Sequence, residues 1–225
     1  MIKTKKQGNL IIISGTTCAG KGTVIKKVLE NHNDLILSVS YTSRPKRDYE
    51  INGVEYYFVT EEEFKRKIKE NEFLEYAEVH NGIYYGTPKL EILKLLETGK
   101  DVILEIDVEG ARNVKELYPE TILIFVMAPS IEEVKRRIKL RGNDNNEQII
   151  SRFKTAYNEI NRVTDYNYVV VNEDLADSVK KVEAILLSEK LRVDRIESIY
   201  VESQEEIIHE FLIDKEFINE EKPIS

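Results

Sequence analysis

The residues best suited to chemistry form a glycine-rich segment near the N-terminus, which reads GTTCAGKGT at positions 15–23. It contains the pattern G-x-x-x-x-G-K, in which backbone N–H groups wrap a phosphate while the lysine adds a positive charge. We predict that the segment binds nucleotide phosphates, through Gly15, Thr16, Thr17, Cys18, Ala19, Gly20, Lys21, Gly22 and Thr23. The alternative is a glycine-rich turn that carries a surface lysine.

The residue after Lys21 is Gly22, where GTPases carry a Ser or Thr whose hydroxyl binds magnesium. Without that hydroxyl, we expect Mg²⁺ to be held by nucleotide phosphates and water, with no metal site formed by the protein. The three histidines show no spacing typical of metal ligands. The sequence therefore indicates a small-molecule kinase rather than a GTP-dependent switch.

The chain around this segment predicts the elements that must position it. An apolar run over residues 10–13 is typical of a buried strand, and a helical pattern follows over 21–30. Further strands are predicted over 35–40, 102–106, 122–127 and 168–171, and further helices over 131–140, from the end of a polar turn at 141–146 to about 163, and over 175–190. Ser130 and Glu133 form a capping box that opens the helix at 131–140. Strands that alternate with helices predict an α/β fold of the P-loop NTPase type, in which helices flank a mainly parallel sheet.

Residues 54–86 depart from this alternation. After a strand at 54–59, Thr60 and Glu63 form a capping box for a helix over 61–70. Asn81-Gly82 then separates two strand patterns, which predicts a β-hairpin. Thr87 is predicted to cap the next helix, with Pro88 at its first position and Gly99 after its end. The block is interpreted as an inserted subdomain.

Charge is unevenly distributed along the 225 residues. The chain has 33 Lys and Arg against 41 Asp and Glu, and residues 191–225 alone hold 4 basic and 10 acidic residues. The nearly neutral remainder argues against nucleic-acid binding, which needs a cationic surface. No apolar run reaches the roughly 20 residues of a membrane span. A single cysteine, Cys18, favours a reducing compartment, and we expect a cytoplasmic protein.

Several further motifs follow the glycine-rich segment in order. They are SVSYTSRPKR at 38–47, NGVEYYF at 52–58, FLEYA at 73–77, YYGT at 84–87, LEIDVEGA at 104–111, and Arg137, Arg141-Gly142, Arg152 and Val171-Asn172. With these motifs the sequence, from about Gly8 to Lys190, resembles the guanylate kinase family, whose members transfer a phosphoryl group from ATP to GMP. The resemblance implies Mg²⁺ as the cofactor that accompanies ATP.

The resemblance also implies residue roles. GMP-binding residues would be Ser40, Arg44, Arg47, Tyr56, Glu75, Tyr85, Thr87, Glu105 and Asp107. ATP would also be bound by Arg137 and Asn172. The catalytic residues would be Lys21, Arg47, Arg141 and Arg152. The chemistry suits both substrates, because an arginine fork binds phosphate through paired hydrogen bonds and a carboxylate accepts from the two donors on the guanine edge. Which of Glu105 and Asp107 serves the metal stays open.

The implied organisation is a kinase domain over 1–190. Its core would be 8–40 and 99–190, with a mixed-β GMP-binding insert at about 41–98 and an arginine-bearing lid at about 141–152. The acidic extension 191–225 has apolar residues at helical spacing around Phe211, which predicts a short amphipathic helix. The sequence gives no oligomeric state.

Two departures from the family pattern bear on function. The family usually has Pro-Ser-Gly where this chain has Thr16-Thr17-Cys18, and a positive φ at Cys18 would strain the backbone. The segment TSRPKRDYE is also similar to the guanylate-kinase-like domains of membrane-associated scaffold proteins. A non-catalytic module that binds phosphopeptides is therefore the rival hypothesis. Retention of Lys21, Arg141 and Arg152 favours the enzyme.

Overall fold

The computed structural model describes residues 3–4, 7–79, 82–140 and 146–198. The strands are β1 Lys3–Thr4, β2 Leu10–Gly15, β3 Leu35–Leu37, β4 Tyr41–Thr42, β5 Tyr57–Phe58, β6 Phe73–Val79, β7 Ile83–Pro88, β8 Asp101–Leu104, β9 Ile122–Met127, β10 Tyr168–Val171 and β11 Ile196–Ser198. The α-helices are α1 Lys21–Asn31, α2 Glu61–Lys69, α3 Lys89–Glu97, α4 Val108–Leu117, α5 Ile131–Leu140, α6 Asn146–Ile160 and α7 Leu175–Lys190. Gln7–Leu186 form one compact unit, and the described residues 3–4 and 187–198 belong to a second.

The main sheet has five parallel strands in the order β10-β9-β2-β8-β3. Every residue of the central strand β2 is buried, as expected when helices cover both faces of a parallel sheet. Ile11 and Ile13 point into a cluster with α1 and α7, whereas Leu10 and Ile12 point into a cluster with α3 and α4. The predicted fold class is confirmed.

A second sheet, of mixed strand direction, has the order β5-β4-β7-β6. Its strands lie in the sequence between β3 and β8, which are neighbours in the main sheet. Phe64 of α2 is fully buried and stacks on Phe73 of β6, with ring centroids 4.5 Å apart. The second sheet therefore forms the inserted subdomain on its own small aromatic core.

Helix starts were predicted with mixed success. The hydroxyls of Thr60 and Ser130 accept the backbone N–H groups of Glu63 and Glu133, at 3.1 and 3.2 Å, so both capping interactions are confirmed. The prediction for Thr87 was wrong. It lies in β7, opposite Glu75 in β6, and α3 begins two residues later, at Lys89. Thr87 fails as a cap because β-pairing fixes its backbone and its hydroxyl binds another side chain.

Several predicted boundaries also differ from the structure. The strand predicted at 35–40 ends at Leu37, the strand at 54–59 shortens to β5, and the strand at 102–106 is β8. The helix predicted to reach residue 163 ends at Ile160, before a 3₁₀ turn, Val163–Asp165. Helix α4 was not predicted at all, although Asp107 accepts the N–H of Gly110 at 2.8 Å as its N-cap.

The second unit contains β1 and β11, which pair antiparallel, and a 3₁₀ turn, Val193–Arg195. Glu189 in this unit is 3% exposed and pairs with Arg195 at 3.3 Å. The helix predicted around Phe211 lies outside the described residues. Within the described ranges, no helix is both long and apolar enough to cross a membrane.

Candidate active site

The glycine-rich loop joins β2 to α1, and two glycines fix its shape. A Cβ on Gly15 would stand 1.8 Å from the carbonyl oxygen of Val126, and its φ is +139°. Gly20 has a φ of +87° and stands at the N-cap of α1 without a side-chain cap. Because no side chain covers the first turn of α1, its N–H groups face the loop and can bind an anion.

Lys21 folds back over the same loop. Its Nζ donates to the carbonyl oxygens of Gly15 at 3.0 Å and Thr16 at 3.2 Å. Glu105 stands opposite, beyond Gly22, where a Cβ would meet its carboxylate at 3.7 Å. Loss of hydration in the cleft raises the pKa of Glu105, and the charge on Lys21 partly opposes that rise. The loop carbonyl oxygens thus fix the position of the Lys21 ammonium group.

Cys18 has a φ of +62°, so the strain predicted for a positive φ at this position is present. Its side chain packs against the apolar cluster that α5 and α6 form around Ile138 and Ala156. The neighbouring Thr17 N–H donates to Glu159 Oε2 at 2.7 Å. Thr23 lies exposed on α1. The middle of the loop is therefore bonded to α6 at Thr17 and packs at Cys18 against the cluster that α5 and α6 share.

Arg137 and Asn172 lie behind the loop, at the carbonyl of Ala19. Arg137 Nη1 donates to that oxygen at 3.1 Å, and Asn172 Nδ2 donates to it at 2.7 Å. Arg137 Nη2 also donates to the Asn172 carbonyl at 2.9 Å. The Ser178 hydroxyl donates a hydrogen bond to the Asn172 amide oxygen at 3.0 Å. The two predicted ATP-binding residues thus support the loop itself.

A cavity of about 350 Å³ opens beside the loop, between the main sheet and the insert. Its polar lining includes seven of the predicted residues, together with Ser38, Glu55 and Glu159. The seven are Lys21, Ser40, Tyr56, Glu75, Tyr85, Glu105 and Asp107. The structure thus brings the lysine predicted to bind phosphate and the carboxylates predicted to bind guanine into one cavity.

Glu75 lies at the inner end of the insert. Its Oε1 accepts the hydroxyl proton of Thr87 at 2.6 Å across the β6–β7 pair. Burial raises the pKa of Glu75 to about 7, Thr87 opposes the rise and the charge on Asp107 adds to it. A Cβ on Gly110 would stand 3.0 Å from Glu75 Oε2 and 3.4 Å from Asp107 Oδ1. Two carboxyl groups therefore face the same part of the cavity.

The basic turn after β4 is organised by Glu50, which is 4% exposed. Its carboxylate accepts hydrogen bonds from both Nη atoms of Arg44, at 2.8 and 2.5 Å, and from the backbone N–H of Arg47, at 2.8 Å. The Arg44 side chain holds the pKa of Glu50 down at about 2. Arg44 also lies over the ring of Tyr56, 5.3 Å from its centroid.

Arg47 differs from Arg44 in its surroundings. It is exposed, and its Nη1 donates to the hydroxyl of Tyr49 at 2.8 Å. Arg152 is half-buried on α6, and Arg141 lies outside the described residues, as do residues 141–145 of the predicted lid. Arg44 therefore contacts Tyr56, which lines the cavity, whereas none of the predicted arginines in the described ranges lines the cavity itself.

Three comparisons with known proteins bear on this site. The guanylate kinase family model matches residues 7–189. A guanylate kinase from Clostridium perfringens is 53% identical over 213 residues, which cover 95% of this chain and 98% of that protein. A guanylate kinase from Clostridium tetani is 54% identical over 209 residues, covering 93% and 100%. The chain belongs to the guanylate kinase family.

A solved structure supports the same assignment. Guanylate kinase from Anaplasma phagocytophilum has a TM-score of 0.73 and 34% identity, and the match covers 88% of this chain and 94% of that one. The predicted resemblance is confirmed, and this guanylate-kinase-family chain is an enzyme. Nothing in the comparisons favours the inactive interaction module.

The comparisons also reach beyond the predicted kinase domain. The match to the Clostridium perfringens enzyme is 30 residues longer than the 183 residues of the family model, and only six residues precede that model. Most of the added length therefore lies after residue 189. The motifs alone leave the acidic extension outside the resemblance, but the Clostridium perfringens enzyme aligns with much of it.

Two site residues were missed from the sequence, Glu50 and Glu159. Glu159 follows Arg152 by seven residues, so both lie on one face of α6, a spacing that the sequence already shows. No spacing in the sequence marks Glu50 as a site residue. Its role depends on the turn bringing its carboxylate back to Arg44, which is a tertiary arrangement.

Proposed function

We propose that this chain transfers the γ-phosphoryl group of ATP to GMP, and to dGMP, giving ADP and the corresponding diphosphate. The observation that supports this most strongly is the shared cavity, which is lined both by Lys21 of the glycine-rich loop and by Glu75, the hydrogen-bond partner of Thr87. A donor site and an acceptor site must adjoin for direct transfer, and this cavity adjoins both.

The donor is the complex of Mg²⁺ with ATP. Loop N–H groups and the open N-terminus of α1 would bind the β-phosphate, and Lys21 would exchange its carbonyl partners for phosphate oxygens. Mg²⁺ prefers oxygen ligands and keeps several waters. Glu105 faces Lys21 and Gly22, whereas Asp107 Oδ1 already accepts the N–H of Gly110. Glu105 is therefore the carboxylate we assign to a metal-bound water.

The acceptor base is recognised by Glu75. An ionised carboxylate accepts from N1–H and the N2 amino group of guanine, and adenine would leave it buried without donors. Asp107 supplies the second acidic contact. The Thr87 hydroxyl has one proton, which it now gives to Glu75, so donating to guanine O6 requires that hydroxyl to rotate.

The acceptor phosphate is held at the outer end of the cavity. The residues we assign to it are Ser40, Arg44, Arg47, Tyr56 and Tyr85. One of its oxygens attacks the γ-phosphorus of ATP while the bond to the leaving ADP oxygen breaks. Little covalent chemistry is left to the protein, so Lys21, Arg47, Arg141 and Arg152 act by position and charge.

The experiment is a coupled assay of ADP release with ATP and each of GMP, dGMP, AMP, UMP, CMP and dTMP. We expect turnover with the two guanine nucleotides and at least about a hundredfold less with the others. Lys21→Ala should abolish turnover in a folded protein, and Lys26→Ala, on the exposed side of the same helix, should not. A wild-type protein that binds GMP or a phosphopeptide but releases no ADP would support the rival module instead.

The proposal includes a cytoplasmic location, which the lone Cys18 supports because disulfide-free proteins are typical of reducing compartments.

A further inference from the structure

Glu159 has an unusual position for a carboxylate. It projects from α6 into the cavity that holds Lys21, and its Oε2 accepts the backbone N–H of Thr17 at 2.7 Å. Loss of hydration raises its pKa, and the hydrogen bond from Thr17 and the charge on Lys21 oppose that rise. Desolvation of a carboxylate costs free energy unless hydrogen bonds or opposite charges compensate, and the Thr17 N–H supplies such a bond here.

The same stretch of loop also packs against an apolar cluster. Cys18 and Phe153 pack against the cluster that contains Val134 and Ile138 of α5 and Ala156 of α6. One residue of the loop is thus held by a hydrogen bond to α6, and the next packs against the cluster that α5 and α6 share. Both contacts oppose a movement of α6 relative to the phosphate loop.

Arg152 lies seven residues before Glu159 on that helix. Seven residues make just under two turns, so the side chains share a face and stand about 10 Å apart along the axis. A displacement of α6 at Glu159 therefore moves Arg152 by a similar distance. Arg152 is half-buried and is one of the cationic groups assigned above to the transferring phosphoryl group.

We infer that Glu159 is a positioning residue, whose bond to the Thr17 N–H locks α6 to the phosphate loop and thereby places Arg152 for phosphoryl transfer. The inference rests on the proposed function. Its physical basis is that a displacement of about 1 Å at a transferring group can cost about a hundredfold in rate. Binding of either nucleotide uses other residues, so the effect belongs to kcat.

The test compares Glu159→Ala, Glu159→Gln and Glu159→Asp in the full-length enzyme. Removing the acceptor in the alanine variant should lower kcat by about tenfold to a hundredfold, with KM for ATP and GMP within about threefold. The amide oxygen of the glutamine variant still accepts from Thr17, so its kcat should recover to within about threefold of wild type. The shorter aspartate variant should lie between them.

A spectroscopic measurement reports the contact without catalysis. In ¹⁵N-labelled protein, the Thr17 amide proton should move upfield in Glu159→Ala and stay near its wild-type position in Glu159→Gln. Asn158→Ala, at an exposed neighbouring position of α6, is the control and should change neither signal nor rate. If the alanine variant does not fold, the glutamine and aspartate variants give the same comparison.

Other outcomes would overturn the inference. Unchanged kcat in Glu159→Ala, with a lower KM for ATP, would mean that the carboxylate only competes with nucleotide for the loop. A loss of kcat in Glu159→Gln as large as that in Glu159→Ala, with Glu159→Asp close to wild type, would mean that charge, not the bond to Thr17, is what matters. Failure of the proposed function is visible separately, because the wild-type protein would then release no ADP with GMP while the Thr17 signal still responds.

Discussion

At the scale of single residues, the burial of Glu75, the carboxylate we propose for guanine recognition, costs stability. It lines the cavity beside Thr87 and Asp107, and burial raises its pKa to about 7. In the unfolded chain the same carboxyl group ionises near its ordinary value of 4.5. Because the folded state binds the proton more tightly, ionisation of Glu75 disfavours folding above the unfolded pKa. The cost grows from about pH 4.5 to pH 7 and is constant beyond it.

Replacing Glu75 by Gln should therefore stabilise the ligand-free protein at high pH. Relative to wild type, we expect Glu75→Gln to gain up to about 3 kcal/mol in unfolding free energy at pH 8 and almost nothing below pH 4.5. Urea titrations at the two pH values measure the difference. The same variant should raise KM for GMP far more than KM for ATP. A variant that is less stable than wild type at pH 8, or whose KM values for GMP and ATP rise equally, would contradict the role proposed for Glu75.

At Cys18, an unfavourable backbone conformation is offset by favourable side-chain packing. Its positive φ costs backbone strain, yet its side chain packs against the α5–α6 cluster. Among single replacements, glycine relieves the strain and loses the packing, whereas alanine keeps the strain and loses most of the packing.

We therefore expect Cys18→Gly to be more stable than Cys18→Ala by about 1 kcal/mol, because only glycine adopts this backbone without a steric penalty. Urea unfolding of the two variants measures the difference. The opposite order would show that packing of the small side chain against α6 outweighs the strain.

At the scale of elements, the turn between β4 and β5 is held by Glu50. The buried carboxylate fixes both the fork of Arg44 and the backbone of Arg47, so the turn that we propose as the socket for the acceptor phosphate is ordered by Glu50. The pKa of Glu50 is held at about 2, so the pairing stabilises the fold above its ordinary pKa and is lost as pH falls towards 2. In the proposed function, recognition of the acceptor phosphate thus depends on a residue that does not itself bind it.

Glu50→Ala should raise KM for GMP by about tenfold or more, because Arg44 loses its orientation and its buried charge loses its partner. KM for ATP should change by less than about twofold. The coupled assay with each substrate varied measures both. Asp48→Ala, exposed in the same turn, is the matched control. An unchanged KM for GMP would mean that the turn keeps its shape without Glu50.

The elements also show where prediction from sequence succeeds. Periodicity and the glycine pattern were enough for the parallel sheet, the loop and two capping interactions, since these depend on local spacing. Thr87, Glu50 and α4 could not be predicted in the same way. Thr87 looked like a helix cap, but its partner Glu75 comes from a different strand. Polar side chains that serve a site follow tertiary geometry, and local patterns misread them.

At the scale of the whole molecule, the described site residues all precede residue 190, and the family model ends at 189. The chain beyond is acidic and is shared in part with close relatives. We expect a variant that ends after Lys190 to keep kcat and both KM values within about twofold of the full chain, because the kinase unit holds its own core.

Loss of the pairing between β1 and β11 and of the ion pair between Glu189 and Arg195 should lower the melting temperature by a few degrees. Assays and thermal melts of the two proteins side by side measure these effects. A loss of kcat beyond about tenfold would instead assign the extension a part in the active site or in assembly.

The path of the chain through the main sheet has a consequence for how such enzymes diversify. The insert leaves after β3 and returns at β8, and these two strands are paired neighbours. A segment whose two ends lie side by side can be lengthened, redesigned or exchanged without altering the order of the strands beneath it. Most of the residues that we propose for GMP binding lie on this insert, so acceptor specificity could change by its exchange while the proposed phosphoryl-donor site, on the main sheet, is kept.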